Sequence, residues 1–313
     1  MICMVEKIIF DSDKCTMCGK CIEICPGNAL EMGDNAPRLI NSELCSLCGV
    51  CEDQCPVGAI TIPSKPAAVY QATIITGDPG IVEVSEKIAS LLDLKKMPVG
   101  VKLLNQQESP SPGFRKVDIP LRHCVSVHMA SLGASLYLPG EMHACSAAKA
   151  ALGIAELPEK VKSGKVPYMH GLAASEKIAA RIMEEVPKLE PGSTGGTLVA
   201  PLKSFGDAPD VVIITCLPKQ AMWIANSLLY STGGPRITAN FAGMQASCGD
   251  VTTIPLKTGK VNFSLGCYGC RSAGKLRDEE MYVGIPWSMI HSVVGGLIGL
   301  RKAMGKLEAR IQS

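Results

Sequence analysis

Two stretches of this sequence read C-x2-C-x2-C-x3-C-P. They are CTMCGKCIEICPG, with Cys15, Cys18, Cys21 and Cys25, and CSLCGVCEDQCPV, with Cys45, Cys48, Cys51 and Cys55. The copies are offset by thirty residues, and Gly19 and Gly49 occupy equivalent places. Three thiolates at this spacing wrap a short loop around one face of a cube of iron and sulfide. The glycine lets backbone N–H groups approach the sulfides closely. Soft thiolates are the ligands such clusters select. The fourth cysteine is followed by proline and points towards the other loop, so each half completes its partner's cluster. The pattern assigns Cys15, Cys18, Cys21 and Cys55 to one 4Fe–4S cluster, and Cys45, Cys48, Cys51 and Cys25 to a second. Zinc is the competing reading, and duplicated four-cysteine runs with a terminal proline fit it poorly.

Seven cysteines remain: Cys3, Cys124, Cys145, Cys216, Cys248, Cys267 and Cys270. A free cysteine is commonly a small buried hydrophobe, and Cys3 and Cys216 are read that way. Cys145 and Cys248 are the candidate catalytic residues. Cys145 opens CSAAKAALG, at the expected start of a helix, whose dipole and free N–H groups activate a thiol, and His143 lies two residues away in sequence. Cys248 lies in QASCGD, expected to be a small-residue turn. The candidate cofactor-binding residues are Cys124, Cys267, Cys270 and Arg271, for a third cluster or another redox cofactor. Cys124 precedes His128 by four residues, which on a helix is one face, as a ligand pair or as a core stripe. The segment GCRSAGKL, residues 269–276, matches GxxxxGK, yet Leu276 stands where a nucleotide loop needs Ser or Thr. A looser anion-binding turn of Gly266, Gly269, Gly274, Arg271 and Lys275 survives that test.

The elements that must position these residues follow from periodicity. KIIFD and AITIP read as outer strands of the cysteine-rich module, with ALEMGD and APRLI a hairpin between the loops. IPSKPAAVYQ, residues 62–71, reads as a linker, within an interdomain stretch taken as 63–80 between a domain at 1–62 and another at 81–313. Beyond it, 82–94, 175–189 and 217–230 have helical spacing, while 98–104, 197–202 and 210–216 read as strands. Residues 105–120 are a polar, proline-rich loop, and Pro286 to Ile311 is expected to be one long helix loosened at Gly295–Gly296. The fold class is α+β, a dicluster module joined to a larger mixed α/β domain whose strand order is not legible.

Residues 5–62 resemble the bacterial-type two-cluster ferredoxins in every ligand position, which implies one-electron transfer at low potential. The C-terminal region resembles domain of unknown function family 169. That likeness rests on PVGVKLL, RHCVSVHMASLG, CSAAKAALG, DVVIITCLPKQAMWIA, ASCGDVTTIPLKTGKVNFSLGCYGCR and YVGIP, across most of 85–290. It implies a grouping without an assigned reaction.

Composition bounds the rest. Fifteen cysteines without a secretory signal favour metal or redox chemistry over disulfides, in a cytoplasmic protein. The longest apolar run, 287–300, is too short to span a bilayer. Residues 1–62 hold four Lys/Arg and nine Asp/Glu, a net −5, and the remainder nets +7. Aromatics total 4% and no basic run is interleaved with them, so nucleic acid is not an expected partner. The expected partners are a redox protein and a small-molecule acceptor. Two functions compete. In one, an oxidoreductase passes electrons from the clusters to a cysteine site in the C-terminal domain; in the other, a non-catalytic accessory protein docks a larger redox enzyme or helps mature its cofactor.

Overall fold

The computed structural model describes residues 8–25, 28–40, 45, 49–62 and 77–311. Cys3, Cys48 and linker residues 63–76 lie outside the described residues.

The N-terminal module is built on the expected elements. Strand β1 (Ile9–Phe10), helix α1 (Lys20–Ile24), the hairpin β2 (Leu30–Met32) and β3 (Pro37–Leu39), helix α2 (Val50–Asp53) and strand β4 (Ile60–Thr61) follow in order. β1 pairs antiparallel with β4, bringing the ends of the module together, and β2 pairs antiparallel with β3. Ile8, Leu30 and Ile60 are buried with Cys21 and Cys51 in a small core.

The C-terminal domain opens with α3 (Pro79–Leu92). Asp78 caps it by accepting from Gly80 and Ile81 N–H, with proline at the first helical position. Ile81, Val84, Ile88 and Leu92 form its buried stripe, the three- and four-residue spacing of one helix face. The chain continues through β5 (Val99–Leu104), β6 (Arg115–Lys116), α4 (His123–Ser131) and β7 (Leu136–Pro139). Four short helices follow: α5 (Ser146–Ala151), α6 (Glu159–Lys162), α7 (Lys165–Met169) and α8 (Glu176–Glu184). Then come β8 (Gly196–Pro201), β9 (Val211–Cys216), α9 (Pro218–Thr232), a π-helix (Ala246–Thr253) and α10 (Ile254–Thr258). The chain ends with β10 (Asn262–Ser264), α11 (Tyr268–Ser272), β11 (Met281–Pro286) and α12 (Ile290–Ile311).

One seven-stranded sheet carries the domain, in the order β10-β11-β9-β5-β8-β7-β6. Every neighbouring pair is antiparallel except β6 with β7. Strands β8 and β9 are buried along their whole length because both faces are covered. Val212, Ile214 and Cys216 face α3, α9 and α12, whereas the alternate residue Ile213 faces α4, the π-helix and α11. The second face matters for function, since Cys124, Cys270 and Tyr282 are buried on it.

Several expectations are corrected. The tail is not one helix from Pro286, because Pro286 ends β11 and α12 starts at Ile290. Nor do Gly295 and Gly296 loosen it: α12 is continuous, and Gly296 lies against the backbone of Ser227 in α9. The polar loop 105–120 contributes an edge strand at Arg115–Lys116. Cys248 does not sit in a turn but inside the π-helix, where it is buried.

Candidate functional site

The structure gathers the cysteines into two groups. In the N-terminal module Cys15, Cys18, Cys21 and Cys55 line one hollow, with Pro56 and Gly19 on its wall. The set mixes three cysteines of the first run with the last of the second. Backbone N–H groups converge on the sulfurs. Met17 donates to Cys15 at 3.4 Å, Ala29 to Cys25 at 3.3 Å, and Ala59 to Cys55 at 3.2 Å. The Lys20 N–H holds the Cys18 thiol below its usual pKa, while burial raises that of Cys21. Cys25, Cys45 and Cys51 belong to the same small core. Among the described residues, no three cysteine, histidine or carboxylate side chains converge tightly enough for a single metal ion. A tetrahedral zinc site needs sulfurs roughly 3.8 Å apart, given Zn–S bonds of about 2.3 Å. Thiols spread around a hollow, each sulfur met by backbone N–H groups, suit a cluster instead.

The second group is formed by Cys124, Cys145, Cys248, Cys267 and Cys270. Cys267 caps α11 and its Sγ donates to Cys270 Sγ at 3.3 Å. Cys124 is buried in the same cluster as Cys270, and its Sγ donates to the Gly269 carbonyl at 3.4 Å. Gly274 permits this approach, because a β-carbon there would lie 2.8 Å from the Cys270 carbonyl and 3.0 Å from Cys124 Cβ. Cys248 lies within electrostatic reach of Cys145, Cys267 and Cys270, and packs beside Cys145. Cys145 stands just before α5, as expected. Cys216 is apart, buried on the opposite face of the sheet, where burial pushes its thiol up to about 12.

Three thiols of this group, Cys248, Cys267 and Cys270, are raised above the usual thiol range. The bond to Cys270, and then burial, raises Cys267 far above the usual range. Cys270 is pushed up to about 12, chiefly by the proton it shares with Cys124. Burial raises Cys248 well above a normal thiol, and buried Tyr282 is raised by desolvation and by the same thiols. Arg271 is directed at the turn's own backbone. Its guanidinium donates to the carbonyls of Leu265, Arg277 and Glu280.

Two histidines border the group; of these the sequence points to His143, by its nearness to Cys145, and not to His123. His123 and His143 are 1% and 0% exposed, with rings stacked at 6.2 Å between centroids. His143 Nε2 is hydrogen-bonded to the Thr197 hydroxyl at 3.1 Å, but its Nδ1 and both nitrogens of His123 have no partner. Burial lowers His123 to about 4 and keeps both rings neutral. Lys149, on α5, is half-desolvated beside Glu141 and Cys145, and burial lowers its pKa. In the sequence His123 adjoins Cys124, and His143 stands two residues before Cys145. His128, weighed with Cys124 as a ligand pair or as a core stripe, lies near Lys96 and Glu280.

The two groups are joined through packing. Ile24, between Cys21 and Cys25, is fully buried among Ala150, Leu157, Val161 and Val166. Lys165 pairs with Glu23 at 2.9 Å, and Lys160 donates to the carbonyls of Glu23 and Cys25. Gln54 and His170 are hydrogen-bonded at 2.9 Å. Arg122, two residues before Cys124, lies directly on Gly49 of the second cysteine loop.

The module and its hollow define an iron–sulfur protein of the electron-transfer class, and residues 7–65 match the family model for a 4Fe–4S dicluster domain. Residues 87–296 match the DUF169 family, described as uncharacterised ArCR, and the chain belongs to that family as a fusion with the dicluster domain. The uncharacterized protein MJ0308 of Methanocaldococcus jannaschii is 30% identical over 224 residues. That match covers 95% of the relative but 71% of this chain. No solved structure matches. No helix among the described residues is long and apolar enough to cross a membrane.

Proposed function

We propose that this chain is an oxidoreductase in which two 4Fe–4S clusters feed electrons to the cysteine group of the C-terminal domain. Cys15, Cys18, Cys21 and Cys55 hold one cluster, and Cys45, Cys48, Cys51 and Cys25 the other. Bound there, the clusters supply one-electron transfer at low potential. The hollow shared by four cysteines from both runs supports that ligand set. The observation that carries the reading is the meeting of Arg122 with Gly49, which sets the Cys124 helix directly against a cluster loop. Lys160 and Lys165 hold the acidic module in place at Glu23. Such a fixed interface gives donor and acceptor a high effective concentration.

A second reading, an accessory protein serving a larger redox enzyme, rests on the same module and predicts no internal acceptor. Anaerobic titration of the iron-loaded chain with limiting dithionite separates the two. Uptake beyond the two electrons that a dicluster domain stores, lost in Cys145→Ala or Cys248→Ala, supports the oxidoreductase. Uptake of two electrons, all on the clusters, means there is no internal acceptor and leaves the accessory role. Iron near eight per chain is expected in either case.

A further inference from the structure

Cys267 and Cys270 meet in a different way from the N-terminal cysteines. Those stand around a hollow, whereas the Cys267 and Cys270 sulfurs touch at 3.3 Å. A disulfide needs them to approach to about 2.05 Å. The pair is also asymmetric. Cys270 is completely buried, while Cys267 is half-buried on a turn whose flanking Leu265 and Tyr268 are 53% and 67% exposed. One reachable thiol backed by a buried second is the arrangement that attacks an outside disulfide and then releases it. Beneath the pair, Cys124 packs against α11 and donates to its Gly269 carbonyl, and Arg122, two residues before it, abuts the second cysteine loop. A disulfide is a two-electron couple, and a dicluster domain holds two one-electron groups.

We propose that Cys267 and Cys270 form a redox-active dithiol/disulfide couple, making this domain a reductant of disulfide bonds in an outside molecule. The inference rests on the reading that electrons pass from the N-terminal domain to this site. Cys267 first releases the proton it directs at Cys270, and the resulting thiolate attacks one sulfur of the outside disulfide. A Cys267–outside S–S bond forms, the outside S–S bond breaks, and the departing thiolate takes the Cys267 proton. Cys270 Sγ then attacks Cys267 Sγ, forming the internal disulfide, and the second outside thiol leaves with the Cys270 proton. The outside disulfide is thereby reduced to two thiols and the pair is oxidised. Returning the pair to the dithiol takes two protons from water and two electrons from low-potential iron–sulfur donors, the class found in the N-terminal domain.

The test adds oxidised glutathione, without oxygen, to full-length iron-loaded protein that has been reduced with dithionite and desalted. Mass spectrometry then reads the peptide spanning 264–275. The parent peptide is expected to lose two hydrogens, and limiting dithionite restores them. Cys270→Ser is expected to carry one glutathione on Cys267, and Cys267→Ser to leave Cys270 unmodified, with near-native circular dichroism in both variants. Thiols that stay free in the parent overturn the proposal. So does equal modification of Cys270 when Cys267 is absent. Iron near twelve per chain, with both thiols protected until a chelator is added, places a third cluster there and also overturns it. Extra electrons in the dithionite titration without change in this peptide sink the couple alone. Absence of extra electrons sinks the reading beneath it.

Discussion

The Arg122 guanidinium rests on the backbone of Gly49, so close that a β-carbon on Gly49 would overlap it. Gly49 is also in the left-handed region, at φ +79°, where other residues are strained. Gly49→Ala is therefore expected to push Arg122 away and loosen the seating of the cluster loop. The cluster spectrum should persist, while electron arrival in the C-terminal domain slows on the order of tenfold or more as effective concentration falls. Rapid-mixing kinetics after dithionite addition would check this, with Arg122→Met as the reciprocal variant. Unchanged rates in both would remove this contact from the path.

Gly274 makes the corresponding approach at the thiol site. An added methyl meets the Cys270 carbonyl and Cys124, so Gly274→Ala is expected to cost about 1–3 kcal/mol as an overpacked contact. It should also part Cys270 from Cys124 and speed alkylation of Cys124, which is buried in the parent. Thermal unfolding and timed alkylation measure the two effects separately.

The buried ion pair between Lys96 and Glu280 braces the segment between α11 and β11. Its atoms are 2.7 Å apart, and the side chains are 16% and 5% exposed. Burial alone would raise the Glu280 pKa, but Lys96 and the Arg277 N–H outweigh it and the net shift is downward. Glu280 thus contributes stability above its unfolded pKa, and the contribution is lost as pH falls through the lower folded value. Glu280→Gln strands Lys96 and is expected to cost about 3–5 kcal/mol, with partial recovery on adding Lys96→Met. Thermal melts of the two variants at neutral pH decide it.

Asp250 has the opposite sign. Burial raises it to about 7 against the opposing bond from Ser264, whose hydroxyl donates to Oδ2 at 2.7 Å. Between its ordinary value of 3.8 and about 7 the folded chain binds the proton and the unfolded chain does not. Stability therefore falls as pH rises through that window and levels off above it. Asp250→Asn should flatten this slope and raise Tm at pH about 8 by roughly 2–4 °C for each kcal/mol recovered. Melts across the window test it, and an unchanged slope would contradict the assignment.

Sequence made the N-terminal site legible because ligand chemistry fixes both spacing and residue type in the two runs. Strands β5, β8 and β9 were legible from their apolar runs, and α3 and α9 from spacing. The antiparallel order of the sheet was not, since partners far apart in the chain choose one another through packing. The convergence of Cys124 with Cys267 and Cys270 was hidden for the same reason: one sheet face brings together α4, the π-helix and α11. Cys248 was misplaced in a turn because Ser, Cys, Gly and Asp favour turns locally, and tertiary packing overrode that preference with a π-helix. His123 gave no sign beyond its neighbour, because a lone histidine beside a cysteine reads equally as core.

In the proposed function, electrons leave the N-terminal clusters for the C-terminal cysteines. Freeze-quench paramagnetic resonance of the full chain, mixed anaerobically with substoichiometric dithionite, addresses it directly. The signal of reduced clusters is expected to rise and then decay with no external oxidant present. The decay should disappear in Cys267→Ser. A signal that persists in the parent and accounts for every electron added would contradict it.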